Sequence, residues 1–138
     1  MDRAALRSQL ERHEGLRLKP YRCTEGKLTI GYGRNIEDNG ISREEADFLL
    51  DNDIDAIEAE LKRLPAYNTL NQARQTVLAN MAFNLGTPSL MRFRKMWAAL
   101  DMMQWQQAAD EMLDSRWAQQ VGNRAKELAA VMVAGRIT

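Results

Sequence analysis

Residues that staple a chain or hold a metal are almost missing from this sequence. One cysteine, Cys23, and one histidine, His13, stand among 138 residues. A single thiol cannot close an internal disulfide, and one thiol with one imidazole cannot make a structural zinc site, so both frameworks are excluded. No stretch approaches the roughly 18 apolar residues of a membrane span. The N-terminus, MDRAALRSQLERHE, carries charges every few residues where a signal peptide would be apolar. The expectation is a chain made in the cytoplasm, without a signal peptide or stable membrane insertion, that needs help to work elsewhere. Repeats, low-complexity runs and disordered linkers are absent as well.

Net charge is also missing, with 19 basic residues against 19 acidic ones. That balance gives little support to nucleic acid as a partner. It hides a pattern, because residues 3–34 hold eight Lys or Arg against three Glu, whereas 37–60 hold ten acids against Arg43. What is present is an ordinary globular share of apolar residues, 45%, enough for one domain or two small lobes with a shared core.

Leu6, Leu10 and the His13/Glu14 stems fall at helical spacing, so residues 3–14 read as a short amphipathic helix stopped by Gly15. Pro20, TEGK, then Leu28 and Ile30 among glycines 26, 31 and 33 read as a hairpin or small sheet. Asn39 and Gly40 make a turn, and Ser42 with Glu45 forms a capping box. The helix it opens keeps its apolar stripe from Ala46 to Leu64, and Pro65 is expected to end it. An apolar helix follows from Leu70 to Leu85, closed by Gly86 and Pro88. Shorter helices are expected around 89–93, 95–100 and 105–113, and a last one with Asn123 as its N-cap stops near Gly135.

Several tempting patterns dissolve on inspection. Asp51, Asp53 and Asp55 imitate a calcium loop, but the sixth position is Ala56 and the twelfth Lys62, so a solvated helix face fits better. The glycines of TIGYGR follow a strand without opening a long helix, which excludes a phosphate loop. Met81, Met96, Met112 and Met132 lie on or beside apolar stripes and read as core filling. His13 reads as a surface group that complements the helix dipole. Glu14 differs. A carboxylate at the negative end of a helix, beside a glycine that lets a ligand approach, is the setting in which a protein holds a general acid. An ordinary surface Glu remains the competing reading at this point.

The stretch EGLRLKPYRCTEGKLTIGYGR resembles the catalytic segment of phage-type (T-even phage-like) lysozymes, glycoside hydrolase family 24. Its pattern is a Glu, eight residues, an Asp or sometimes Cys, five residues and a Thr; Glu14, Cys23 and Thr29 match without a gap. GISREEADFLLDNDIDAIEAEL resembles the family's capped interlobe helix, ANMAFNLG its core helix and glycine stop, and SRWAQQVGNRA its C-terminal tryptophan segment. Two departures stand out. Arg34 replaces a frequent histidine, and the stretch from Arg34 to Ser42 is short.

The resemblance implies an α+β, mainly α, two-lobed fold within a single domain, 1–138. A small β lobe would span about 15–41, an interlobe helix about 43–64, and a helical lobe about 66–138 together with the helix 3–14. It implies a monomeric endolysin that cleaves the β-1,4 bond between N-acetylmuramic acid and N-acetylglucosamine in bacterial peptidoglycan, with inversion and without metal or cofactor. Host lysis would follow release from the host cytoplasm through a separate phage pore protein. Glu14 would be the general acid; Cys23, with Thr29, would be base, water-positioner or nucleophile. Gly33, Phe83, Asn84 and Arg116 would contact substrate, Arg124 would hold Glu14, and Arg34 would pair with Asp53. Two rivals remain: a peptidoglycan-binding homologue weakened by loss of the usual second carboxylate, and a nucleic-acid-binding domain resting on NRAKELAAVMVAGR, which the acidic interlobe helix disfavours.

Overall fold

Asp2 starts the first helix by accepting the Ala5 N–H at 3.0 Å, and α1 runs Arg3–Glu14 as expected in this computed structural model, which describes residues 1–137. Gly15 stops it at φ 70°, returning its N–H to the Glu11 carbonyl. The chain then makes an antiparallel sheet of β1 (Arg17–Arg22), β2 (Leu28–Gly31) and β3 (Arg34–Asn35), in the order β1-β2-β3. Thr29 sits in the middle, opposite Tyr21 on one side and Asn35 on the other. Asn35 turns the chain into α2 (Ile36–Asn39) by capping the Asp38 N–H at 3.0 Å.

The capping box forms as read: Ser42 Oγ accepts the Glu45 N–H at 3.1 Å, and Glu45 Oε1 accepts the Ser42 N–H at 2.8 Å. The helix it opens, α3 (Arg43–Leu61), stops four residues before Pro65. Its end tightens into i→i+3 bonds, Arg63 N–H to the Glu60 carbonyl and Leu64 N–H to that of Leu61. Pro65 instead begins α4 (Pro65–Asn68), where its missing N–H removes no helical bond.

Two compact units divide the chain, Met1–Phe48 and the residues from Leu49 onward. The second is all helix: the end of α3, α4, α5 (Gln72–Leu85), α6 (Thr87–Met91), α7 (Arg94–Asp101), α8 (Trp105–Leu113), α9 (Arg116–Val121) and α10 (Asn123–Ala134). The short α9 was not foreseen. Ser115 caps it by accepting the Ala118 N–H at 3.1 Å, and Gly122 at φ 60° separates it from α10. Gly122 therefore takes the N-cap place expected of Asn123, which is the first helical residue. Leu61, Leu78, Met81, Leu90, Met96, Leu100, Met112 and Met132 form the fully buried centre, so the four methionines are core. Arg74 closes the far end, stacked 3.8 Å from the Trp105 ring and donating to the Met132 and Val133 carbonyls at the C-terminus of α10.

The first unit is different in kind. Among the described residues it buries one side chain, Thr29, and no apolar one. Its connections are polar, and the strongest is Arg34, which grips Glu45 with both nitrogens, Nη1 to Oε1 at 2.9 Å and Nη2 to Oε2 at 2.7 Å. Asp53, the partner read from the sequence, is thus replaced by Glu45. The reason is local: the capping box already fixes the Glu45 carboxylate at the start of α3, whereas Asp53 lies eight residues on, about 12 Å along the helix. No helix among the described residues is long and apolar enough to cross a membrane.

Arg34, then the Ser42 backbone and hydroxyl, hold the Glu45 carboxyl down to about 2. A carboxyl depressed by folding stabilises the fold above the ordinary Glu value and loses that contribution as pH falls toward the depressed one. Urea titrations of wild type and Glu45→Gln should therefore differ most near neutrality and converge as pH falls toward about 2. A midpoint gap that ignores pH would mean that the ion pair adds no stability.

Candidate functional site

Glu14 ends α1, and its exposed carboxylate lies on the turn that joins β2 to β3. Gly33 makes that seat possible. A Cβ on Gly33 would stand 2.6 Å from Glu14 Oε2 and 2.8 Å from its carboxyl carbon, and φ 78° is a left-handed conformation that favours glycine. The turn glycine thus reads as a close-approach glycine, and the atom approached is the candidate acid.

Cys23 and Thr29 meet where β1 runs into β2. The Cys23 N–H donates to the Lys27 carbonyl at 3.0 Å, and the Cys23 carbonyl accepts the Gly26 N–H at 2.8 Å, closing a tight turn over TEG. This folds the half-buried thiol back over the strand. Its pKa is lowered, first because the Lys27 backbone N–H points at the sulfur, then because the Glu25 N–H does, while burial and the Glu25 carboxylate oppose. The charged side chains of Arg22 and Lys27 flank this turn in the sequence. Their ends are occupied: Arg22 Nη1 donates to the Gly26 carbonyl at 2.9 Å, and Lys27 Nζ lies 3.3 Å from Asp38 and 3.6 Å from Glu37. Thr29 is 3% exposed and donates its one proton to the Lys27 carbonyl at 2.8 Å. Its oxygen lone pairs are then the part left to receive a hydrogen bond.

The remaining site candidates belong to the second unit. Phe83, 48% exposed, and Asn84 stand at the end of α5. Asn84 Oδ1 accepts the indole N–H of buried Trp117 at 2.7 Å, which leaves the Asn84 amide hydrogens as donors for a ligand carbonyl. Arg116, exposed at the start of α9, adjoins that tryptophan. Arg124 on α10 has a partner that sequence reading missed, Asn80, whose Oδ1 takes Nη2 at 2.7 Å and Nε at 3.0 Å. Asn80 lies four residues before Asn84 on α5, one turn away, and that spacing was the available signal. Arg124, Asn80 and Phe83 line a cavity of about 560 Å³ together with Ile54, Tyr67 and Ala79. Asp53 is exposed on α3. Among the described residues no group of three or more His, Cys, Asp or Glu is placed to hold a metal ion.

Two substitutions separate the seat of Glu14 from simple backbone strain. Gly31 and Gly33 both have φ above 70°, but a Cβ on Gly31 would meet nothing within 4 Å. Both Gly31→Ala and Gly33→Ala should cost left-handed strain of roughly 1 kcal/mol in urea unfolding, because the exposed Glu14 side chain can swing aside, and Gly33→Ala alone should displace the Glu14 carboxylate, read as a shift of its carboxyl carbon resonance by NMR. An equal resonance shift in both variants would remove the contact from the explanation. For Cys23, the rate of iodoacetamide alkylation should reach half its maximum below the free-thiol value of about 8.5.

The chain is also similar in sequence to known proteins. The model of the family described as phage lysozyme matches residues 11–132. The pre-baseplate central spike protein Gp5 of Enterobacteria phage T4 is 30% identical over 96% of this chain, which spans only 28% of that protein. Probable T4-type lysozyme 2 of Dictyostelium discoideum is 27% identical, with 97% of this chain and 96% of that protein covered. An endolysin of Acyrthosiphon pisum secondary endosymbiont phage 1 is 37% identical over 56% of this chain and 54% of its own. With the match running from the last turn of α1 into α10 and taking in Glu14, Cys23 and Thr29, the chain belongs to the phage lysozyme family.

Proposed function

We propose that this chain is a muramidase that hydrolyses the β-1,4 bond between N-acetylmuramic acid and N-acetylglucosamine in bacterial peptidoglycan, with inversion. The observation that carries the reading is the first unit's sheet: one end of it seats the Glu14 carboxylate on Gly33, and its middle strand presents Thr29 beside the Cys23 thiol. In the proposed step Glu14 gives its proton to the glycosidic oxygen as the bond to the anomeric carbon breaks. A water held by the Thr29 oxygen attacks that carbon from the opposite face, and the Cys23 thiolate accepts the proton the water loses. Thr29 needs no ionisation for this role, because its own proton is already committed to the Lys27 carbonyl.

Gly33, Phe83, Asn84 and Arg116 are the proposed substrate contacts, with the Asn84 amide as a donor to carbonyl groups of the polymer. The biological setting proposed is an endolysin acting as a monomer on the host wall after passage through a separate phage pore protein. The rival, a wall-binding homologue with weakened chemistry, shares every contact and differs only in rate.

Glu14→Gln should retain the fold and lose at least about two decades of hydrolysis on purified peptidoglycan, since general acid catalysis is worth roughly 10²–10⁴. Lysis near the wild-type rate would sink the assignment of the acid, and wild-type binding without hydrolysis would establish the rival. Thr29→Ala should lose more rate than Cys23→Ala, and Cys23→Asp should stay active. NMR of the first product should show the α anomer; a β anomer with an adduct on Cys23 would replace inversion by a covalent route.

A further inference from the structure

The peptide group between Lys27 and Leu28 holds the Cys23 turn from both sides. Its carbonyl accepts the Cys23 N–H at 3.0 Å and the Thr29 hydroxyl at 2.8 Å. Its N–H, on Leu28, donates to Glu37 Oε1 at 3.2 Å. The register explains why a side chain is needed there. Thr29 faces Asn35 and Ile30 faces Arg34, so residues 36 and 37 would lie opposite 28 and 27 if β3 continued. Asn35 ends the strand by capping α2, and the Glu37 side chain supplies the acceptor that a third strand would have offered. The same carboxylate lies 3.5 Å from Arg22 Nη1 and 3.6 Å from Lys27 Nζ, so it also holds the two cations that flank the turn.

We propose that Glu37 is a positioning residue for the Cys23–Thr29 pair and acts through the Lys27–Leu28 peptide. This deepens the hydrolase reading and rests on it. An anionic acceptor on the amide side polarises a peptide and makes its carbonyl a stronger acceptor on the other side. That carbonyl takes the only Thr29 proton and thereby aims the oxygen lone pairs outward. It also fixes the Cys23 backbone, and with it the sulfur, against the amides of Glu25 and Lys27. Asp38 also engages the Lys27 ammonium, at 3.3 Å.

The test compares Glu37→Ala with Glu37→Gln, which keeps an oxygen for the Leu28 N–H while removing the charge. Both are assayed for kcat and KM on purified peptidoglycan and for the pH profile of Cys23 alkylation by iodoacetamide. Glu37→Ala should lower kcat on the order of tenfold with KM within about twofold. It should also raise the pH of half-maximal alkylation, and Glu37→Gln should restore most of both. If the alanine variant does not fold, Glu37→Asp, one methylene short of Leu28, carries the same expectations at smaller amplitude. A profile that moves down, as released Arg22 or Lys27 cations would cause, overturns the proposal, and so does an unchanged kcat and profile. Alkylation needs no turnover. A wild-type protein that leaves peptidoglycan intact while Glu37→Ala still raises the profile would therefore remove the hydrolase reading alone.

Discussion

A unit that buries no apolar side chain must hold its shape with hydrogen bonds and ion pairs, and that constraint governs everything placed on the sheet. The first unit seats Glu14, Cys23 and Thr29, yet Thr29 is its only buried side chain among the described residues. Exposed pairs contribute about 0–1 kcal/mol each. The unit answers with convergence: Glu45 serves both the Ser42 cap and the Arg34 fork, Glu37 serves Leu28, Arg22 and Lys27, and the Lys27 carbonyl serves Cys23 and Thr29. Sharing an acceptor among several donors leaves fewer side chains to order for each bond made, so the entropy lost per contact is smaller.

The second unit solves the opposite problem. Its methionine- and leucine-rich centre supplies stability by burial, so polar residues at its surface are free to be oriented. Trp117 shows how the two demands meet. Its ring is buried and packs edge-on against Phe93 at 6.4 Å, while its indole N–H reaches out to Asn84. A core residue thereby decides which end of a surface amide faces a ligand. Asn80 does the same for Arg124, fixing its guanidinium through Nε and Nη2.

Much of this was legible in the sequence where the signal is local. The bounds of α1, the capping box at Ser42, the glycine stop at Gly86 and the buried methionines all follow from spacing and from residue chemistry within a few positions. What escaped depends on competition between distant groups. Asp53 and Glu45 are both acids on the same helix, and only the fixed position of the Glu45 carboxylate decides which one Arg34 takes. Pro65 carries the same stop signal whether it ends one helix or opens the next. The six residues of α9 are too few to show a period, and their cap, Ser115, resembles any loop serine. The lowering at Cys23 came from backbone amides, which every residue possesses and no motif records.

Those amides also bear on what the thiol can do. Hydrogen bonds that favour the thiolate reduce its intrinsic nucleophilicity, because electron density on sulfur is drawn toward the N–H groups. The same shift improves a base, whose useful pKa lies near the working pH. The two consequences point in opposite directions for the two mechanisms. A sulfur that attacked the anomeric carbon would meet that loss of nucleophilicity in its first step, and only afterwards would the same amides help it to leave as thiolate. A thiolate that only removes a proton from water forms no bond to carbon, and the Thr29 oxygen gives that water a fixed acceptor. The turn that makes Cys23 acidic therefore favours proton removal over attack at carbon.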